Sequence, residues 1–130
     1  MRKIIPISIL SLSLLANSAI AKEQSTYNLL AEQWLTNTDT LKFCSAFSEA
    51  ASEVVKLRQY QGTEILEIIN AFKLMELPVG LNNTLKEMTI DVYKTPIHTS
   101  SLERQSINAD FLNKWHAKCL EEEGFINKRP

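Results

Sequence analysis

The chain has few of the residues from which recognisable sites are usually built. Its three glycines, Gly62, Gly80 and Gly124, stand alone, which excludes a phosphate-cradling loop of the usual kind. Its two histidines, His98 and His116, form no His-x-x-x-His pair, and its two cysteines, Cys44 and Cys119, form no Cys-x-x-Cys pair. Neither a structural metal nor any other cofactor is therefore expected. No Gly-x-Ser-x-Gly elbow accompanies the serines. Lysine and arginine together number 14 against 15 acids and form no basic block, so nucleic acid is not an expected partner. No segment sustains the period-two alternation of a half-buried strand, and there is no repeat or low-complexity run.

At the N-terminus, Arg2 and Lys3 precede an apolar run from Ile4 to Ala16, and Ala19-Ile20-Ala21 places small residues at a cleavage site. This is the three-part layout of a secretory signal peptide, here residues 1–21. The competing reading is an uncleaved anchor helix, but the apolar run is short for a membrane span. No cysteine follows it to carry a lipid. Cleavage after Ala21 would move the formal charge from −1 to −3 and leave a chain of 22–130, the length of one domain. The expected location is periplasmic or secreted, with no membrane anchor after cleavage.

Helical periodicity runs through most of the chain beyond Ala21. A short helix is expected over Thr26–Leu35, with Tyr27, Leu30, Ala31 and Trp34 on one face. The clearest amphipathic stretch is Leu41–Gly62. There Phe43, Phe47, Ala50, Val54 and Leu57 recur at steps of three and four, and Cys44, Ala51 and Val55 widen the stripe. Thr38, Asp39 or Thr40 can cap it and Gly62 can end it. A third helix, capped by Thr63, is expected to bury Ile65, Ile68, Ile69, Phe72 and Met75, with Leu66 alongside. Its apolar content places it near the centre. Leu77-Pro78-Val79-Gly80 breaks that helix. Asn82 or Asn83 opens a fourth helix that ends at Thr95-Pro96. Ser100 and Glu103 have the spacing of a capping box for a last helix, Ser101 to about Glu122. Phe125 to Pro130 reads as a loose tail. The fold expected is all-α, a small bundle of four or five helices. Its core should hold Trp34, Phe47, Val54, Ile65, Ile69, Phe72, Leu85, Met88, Val92, Phe111 and Trp115.

Cys44 lies near the start of one helix and Cys119 near the end of another, both on apolar stripes. In an exported chain a lone pair reads as one disulfide, which antiparallel packing of the two helices permits. The alternative is two buried free thiols. Arg58 and Gln59 are the remaining candidates, either structural or partner-binding. Arg58 near a helix C-terminus suits the dipole, and its fork can reach Asp91 or Glu87, or a partner's carboxylate. Glu64, Glu67, Glu76, Glu87 and Asp91 read as solvated helix faces rather than a catalytic pair.

The order Cys44, Ala51, Arg58-Gln59, Gly62, Met88, Tyr93, Pro96, Phe111, Cys119 resembles a group of small exported proteins of proteobacteria and their prophages. Those proteins run as a Cys, then Arg-Gln and Gly, then an aromatic shortly before Pro, then an aromatic-rich helix ending in Cys. The likeness covers about Phe43 to Leu120, with one extra residue before Gly62 here. It implies export, a helical layout and a prophage-linked origin, and it brings no activity with it. Three functions are weighed. The leading one is a non-enzymatic interaction module with an unidentified periplasmic protein partner. The second is an acid-stress periplasmic holdase. The third is a small hydrolase using Glu or His, which would need a cleft that gathers His98 or His116 with carboxylates.

Overall fold

Asp39 starts the helix on which the rest of the bundle is assembled. The computed structural model describes residues 14–129, and for 14–23 and 127 the backbone alone. It contains five helices: α1 Leu14–Thr36, α2 Thr40–Gln61, α3 Ile65–Leu74, α4 Val79–Tyr93 and α5 Ser101–Glu121. A 3-10 turn follows over Ile126–Lys128. Among the described residues there is no strand, so the all-α expectation holds with five helices.

The Asp39 carboxylate accepts from the Lys42 N–H at 3.0 Å, satisfying one of the free donors of the first turn of α2. Gly62, at φ 63°, ends the helix in the left-handed region with its N–H on the Leu57 carbonyl. Between these caps α2 packs against α1, α4 and α5. Contact on several sides explains why Phe43, Phe47, Ala50 and Val54 are buried together with Cys44, Ala51 and Val55.

Helix α5 runs antiparallel along α2, as its contacts show in reverse order. The Cys44 and Cys119 sulfurs lie at disulfide distance with Cα atoms 5.5 Å apart. Phe47 meets Trp115 at 6.0 Å between rings, Ser52 donates to Asn108 at 2.9 Å, and Arg104 lies 5.0 Å over Tyr60. Ser100 caps α5 by accepting from the Glu103 N–H.

As far as Arg129, the last described residue, the tail is not loose. The Gly124 N–H bonds back to the Cys119 carbonyl at 2.7 Å and that of Glu123 to Leu120 at 3.1 Å. This pair of bonds reverses the chain at the end of α5. Gly124 sits at φ +70°, and a Cβ there would come within 3.3 Å of the Arg129 side chain and 3.5 Å of the Phe43 ring. The reversal drives Phe125 into the core, fully buried and 5.0 Å from the Phe47 ring. Arg129 lies 4.6 Å over Trp34 and donates to the carbonyls of Gln33, Trp34 and Gly124. It thereby adds donors to carbonyls in the last turn of α1.

Other expectations need correction. Helix α1 begins at Leu14, twelve residues before Thr26, and runs through the expected cleavage point after Ala21. Residues 1–13 of the expected signal peptide lie outside the described residues. Helix α4 starts at Val79 directly after Pro78, whose fixed φ suits a helix entry, so Gly80 lies inside the first turn. Thr63 does not cap α3; Glu64 precedes that helix and makes no capping bond with its side chain. The largest departure is α3 itself. It buries only Ile68 and Phe72, because it packs chiefly on α4 at the edge of the bundle rather than against α2. Ile65, Ile69 and also Phe111 are half-buried, while Leu66 and Met75 are exposed.

Candidate binding site beside α3

The residues singled out in the sequence are engaged within the chain. Arg58 Nε and Nη2 both donate to the Thr95 carbonyl, at 3.2 and 3.1 Å, and its guanidinium lies 4.8 Å over the Tyr93 ring. Gln59, only 2% exposed, donates to the Pro96 carbonyl at 3.0 Å and accepts from the His98 N–H at 2.9 Å. Together they hold the linker between α4 and α5. Arg104 adds a bond to the His98 carbonyl at 2.6 Å. The Tyr93 hydroxyl donates to the Thr63 carbonyl, tying the same region to the start of α3. Burial raises the Tyr93 phenol above its ordinary value against the opposing pull of Arg58, and nearby Glu67 raises it further.

Arg58 does not bridge to Asp91 or Glu87, because both carboxylates are taken elsewhere. Asp91 accepts from Lys114 at 2.8 Å and from Trp115 Nε1 at 2.9 Å, and Glu87 pairs with Lys128 at 2.8 Å. Burial pushes the Asp91 carboxyl upward. The hydrogen bonds from Lys114 and Trp115 and the charges of Lys114 and Lys94 outweigh it, and the group titrates below its ordinary 3.8. This knot lines a shallow cleft of about 300 Å³ with Lys94 and Lys118.

The histidines are not gathered with carboxylates in either cleft. His98 lies 3.8 Å from the exposed Glu103, and His116 is half-buried on α5. Among the described residues no cluster of His, Cys, Asp and Glu could hold a metal ion.

The more apolar cleft lies where α3 leans away from α1 and α2. It has a volume of about 210 Å³. Val54, Ile68 and Phe72, all buried, form its floor, while Tyr27 of α1, Leu57 of α2, Ala71 of α3 and Met75 just after it contribute to its walls. Two carboxylates also line it, Glu53 from α2 and Glu67 from α3. Glu67, Ala71 and Met75 are spaced four apart, so they form one ridge along α3. Neither Glu53 nor Glu67 has a side-chain hydrogen bond or ion pair among the described residues. Leu66, Leu74 and Val79 of the same region are exposed.

Sequence reasoning missed this site. The signal was present in the surplus of apolar residues on α3. Ile65, Ile68, Ile69 and Phe72 fill one face, and Leu66, Ala71, Leu74 and Met75 extend beyond it. A helix apolar on more than one face is covered on more than one side or carries an interaction surface.

Comparison with protein families, with curated proteins and with solved structures returned no match. The fold and the site therefore define the class on their own. The described residues form an all-helical fold of five helices with one cysteine pair at bridging distance, presenting an apolar cleft edged with acid.

Proposed function

We propose that this protein is an exported, periplasmic, non-enzymatic interaction module that receives a protein partner in the cleft beside α3. The observation that carries this reading is α3 itself, a helix of high apolar content that buries only Ile68 and Phe72 and lines an open cleft with Glu67, Ile68, Ala71 and Phe72. Export is supported by the basic start, apolar run and Ala-x-Ala site at the N-terminus. The resemblance to small exported proteins of proteobacteria and prophages supports the same compartment. Among the described residues no helix is long and apolar enough to cross a membrane.

A photo-crosslinking residue at Met75, in the full chain expressed in a Gram-negative host, tests the proposal. A discrete adduct is expected from Met75 and none from Asn113, which is exposed on α5. The Met75 adduct should disappear when Ala71→Trp fills the cleft. Equal adducts from both positions, or none from Met75, would rule the module out. Exposed Leu66, Leu74 and Val79 also support the holdase reading. That reading requires the protein to suppress client aggregation at low pH, and an unchanged time course with the protein present ends it.

A further inference from the structure

We propose that the occupant of the α3 cleft is a basic amphipathic helical segment of the partner. It seats one large apolar side chain in the cleft and places a lysine or arginine on each flank to meet Glu53 and Glu67. This rests on the reading of the cleft as the docking site, and it specifies what docks.

Volume sets the anchor. The cleft, at about 210 Å³, exceeds the roughly 150 Å³ apolar cavity that suffices to bind benzene. A floor of Val54, Ile68 and Phe72 favours an aliphatic or aromatic side chain in that space. Charge sets the flanks. Glu53 and Glu67 project from two different helices, and both lack a cationic partner among the described residues. Glu64 and Glu76, exposed at the two ends of α3, extend the acidic field along the helix. The cations nearest in sequence, Lys56 and Lys73, are exposed and do not line the cleft.

Lysine and arginine suit such a rim because their methylene stems lie along apolar walls while their charged ends reach the carboxylates. Helical spacing at three and four residues brings an apolar anchor and its basic flanks to one side. A second copy of this chain fits less well, since it would bring the same carboxylates against each other. An anionic lipid surface is repelled by the same rim.

The test uses fluorescently labelled helical peptides with the folded full chain. One carries a leucine stripe flanked by lysines, and its counterpart carries glutamates in place of the lysines. The lysine peptide should bind saturably at one per chain, more weakly as salt rises, and the glutamate peptide more weakly still. In the Glu53→Gln/Glu67→Gln double variant, affinity for the lysine peptide should fall roughly three- to tenfold, as expected for two partly exposed charge pairs. Ala71→Trp should abolish binding.

Equal affinity for the two peptides, or an unchanged affinity in the double glutamine variant, overturns the basic occupant. So does the absence of saturable binding by the lysine peptide. Binding confined to phosphatidylglycerol vesicles, or a dimer that Ala71→Trp dissociates, overturns it as well. The cleft's standing as a docking site is decided separately by the Met75 adduct, so an adduct-forming chain that ignores peptide charge sinks this proposal alone.

Discussion

Helix α2 carries Ser45, Ser48, Ser52, Glu49, Glu53 and Gln59 among its apolar residues, and it buries eleven of its twenty-two positions. Helix α3 has only Glu67, Asn70 and Lys73 as polar residues, and it buries two of ten. Composition alone predicts the reverse. The difference lies in placement. Helix α2 is packed by α1, α4 and α5, so even Ser48, Ser52 and Gln59 are covered and find partners within the chain. Helix α3 packs mainly on α4, so apolar side chains beyond its inner face have nothing to lie against. Apolar content that the fold does not use is available to a second molecule, and this is the physical basis of the proposed module.

The contrast can be broken by mutation, with the greatest loss expected around α2. Phe125→Ala removes a fully buried ring from the cluster of Phe43, Phe47 and Trp115 and should cost about 3–5 kcal/mol. Chemical denaturation would measure this. A loss near zero would mean that the tail lies outside the core after all.

Cys44→Ala and Cys119→Ala should each cost roughly 2–5 kcal/mol, with the double variant no worse than either single one. The loop between the cysteines spans 75 residues, for which the entropy model gives roughly 4–5 kcal/mol as an upper figure. Additive losses in the double variant, or both thiols labelled in the purified protein, would show that the sulfurs are not joined.

Gln59→Leu leaves the Pro96 carbonyl and the His98 N–H without their partner and should cost about 1–3 kcal/mol. Faster amide exchange at His98 would accompany the loss. Unchanged exchange there would mean the linker is held without Gln59.

A smaller effect is expected at Asp91. Its folded-state value lies below the ordinary 3.8, so its contribution is present above the ordinary value and is lost as pH falls through the lowered one. Asp91→Asn should therefore flatten the acid limb of the stability profile and leave the alkaline limb alone. An unchanged acid limb would remove Asp91 from the account.

The least change is expected on α3. Leu66→Ser and Leu74→Ser touch exposed side chains and should move stability by about 0.5 kcal/mol or less. A loss comparable to that of Phe125→Ala would erase the distinction between the two helices.

Local signals are legible in the sequence where one residue decides the outcome. Asp39 is among the expected caps of α2, Gly62 its expected stop, and Ser100 the expected cap of α5. The antiparallel meeting of Cys44 with Cys119 agrees with their positions at opposite ends of two apolar stripes. Eight of the core residues expected are buried, from Trp34 to Trp115, while Ile65, Ile69 and Phe111 are half-covered.

The features that escape the sequence depend on which helix packs on which. Periodicity identifies the inner face of α3 but carries nothing about its depth in the bundle. Arg58 has a plausible ion-pair partner in Asp91 by sequence, yet the Lys114 and Trp115 donors occupy that carboxylate and the Thr95 carbonyl lies beside Arg58 instead. The tail offers only a phenylalanine and an isoleucine, too short a run for periodicity, and the chain reversal at Gly124 turns Phe125 inward.

Arg129 closes on Trp34 across 95 residues of sequence, and this separation sets an order in time. A chain emerges from the ribosome N-terminus first, at about 5–20 residues per second. α1 is therefore made long before the guanidinium that caps its last carbonyls. Phe125, which covers the aromatic face of α2, also arrives only after α5. A nascent chain arrested before Phe125 has neither contact, so the finished packing of the first two helices waits on residues made after α5.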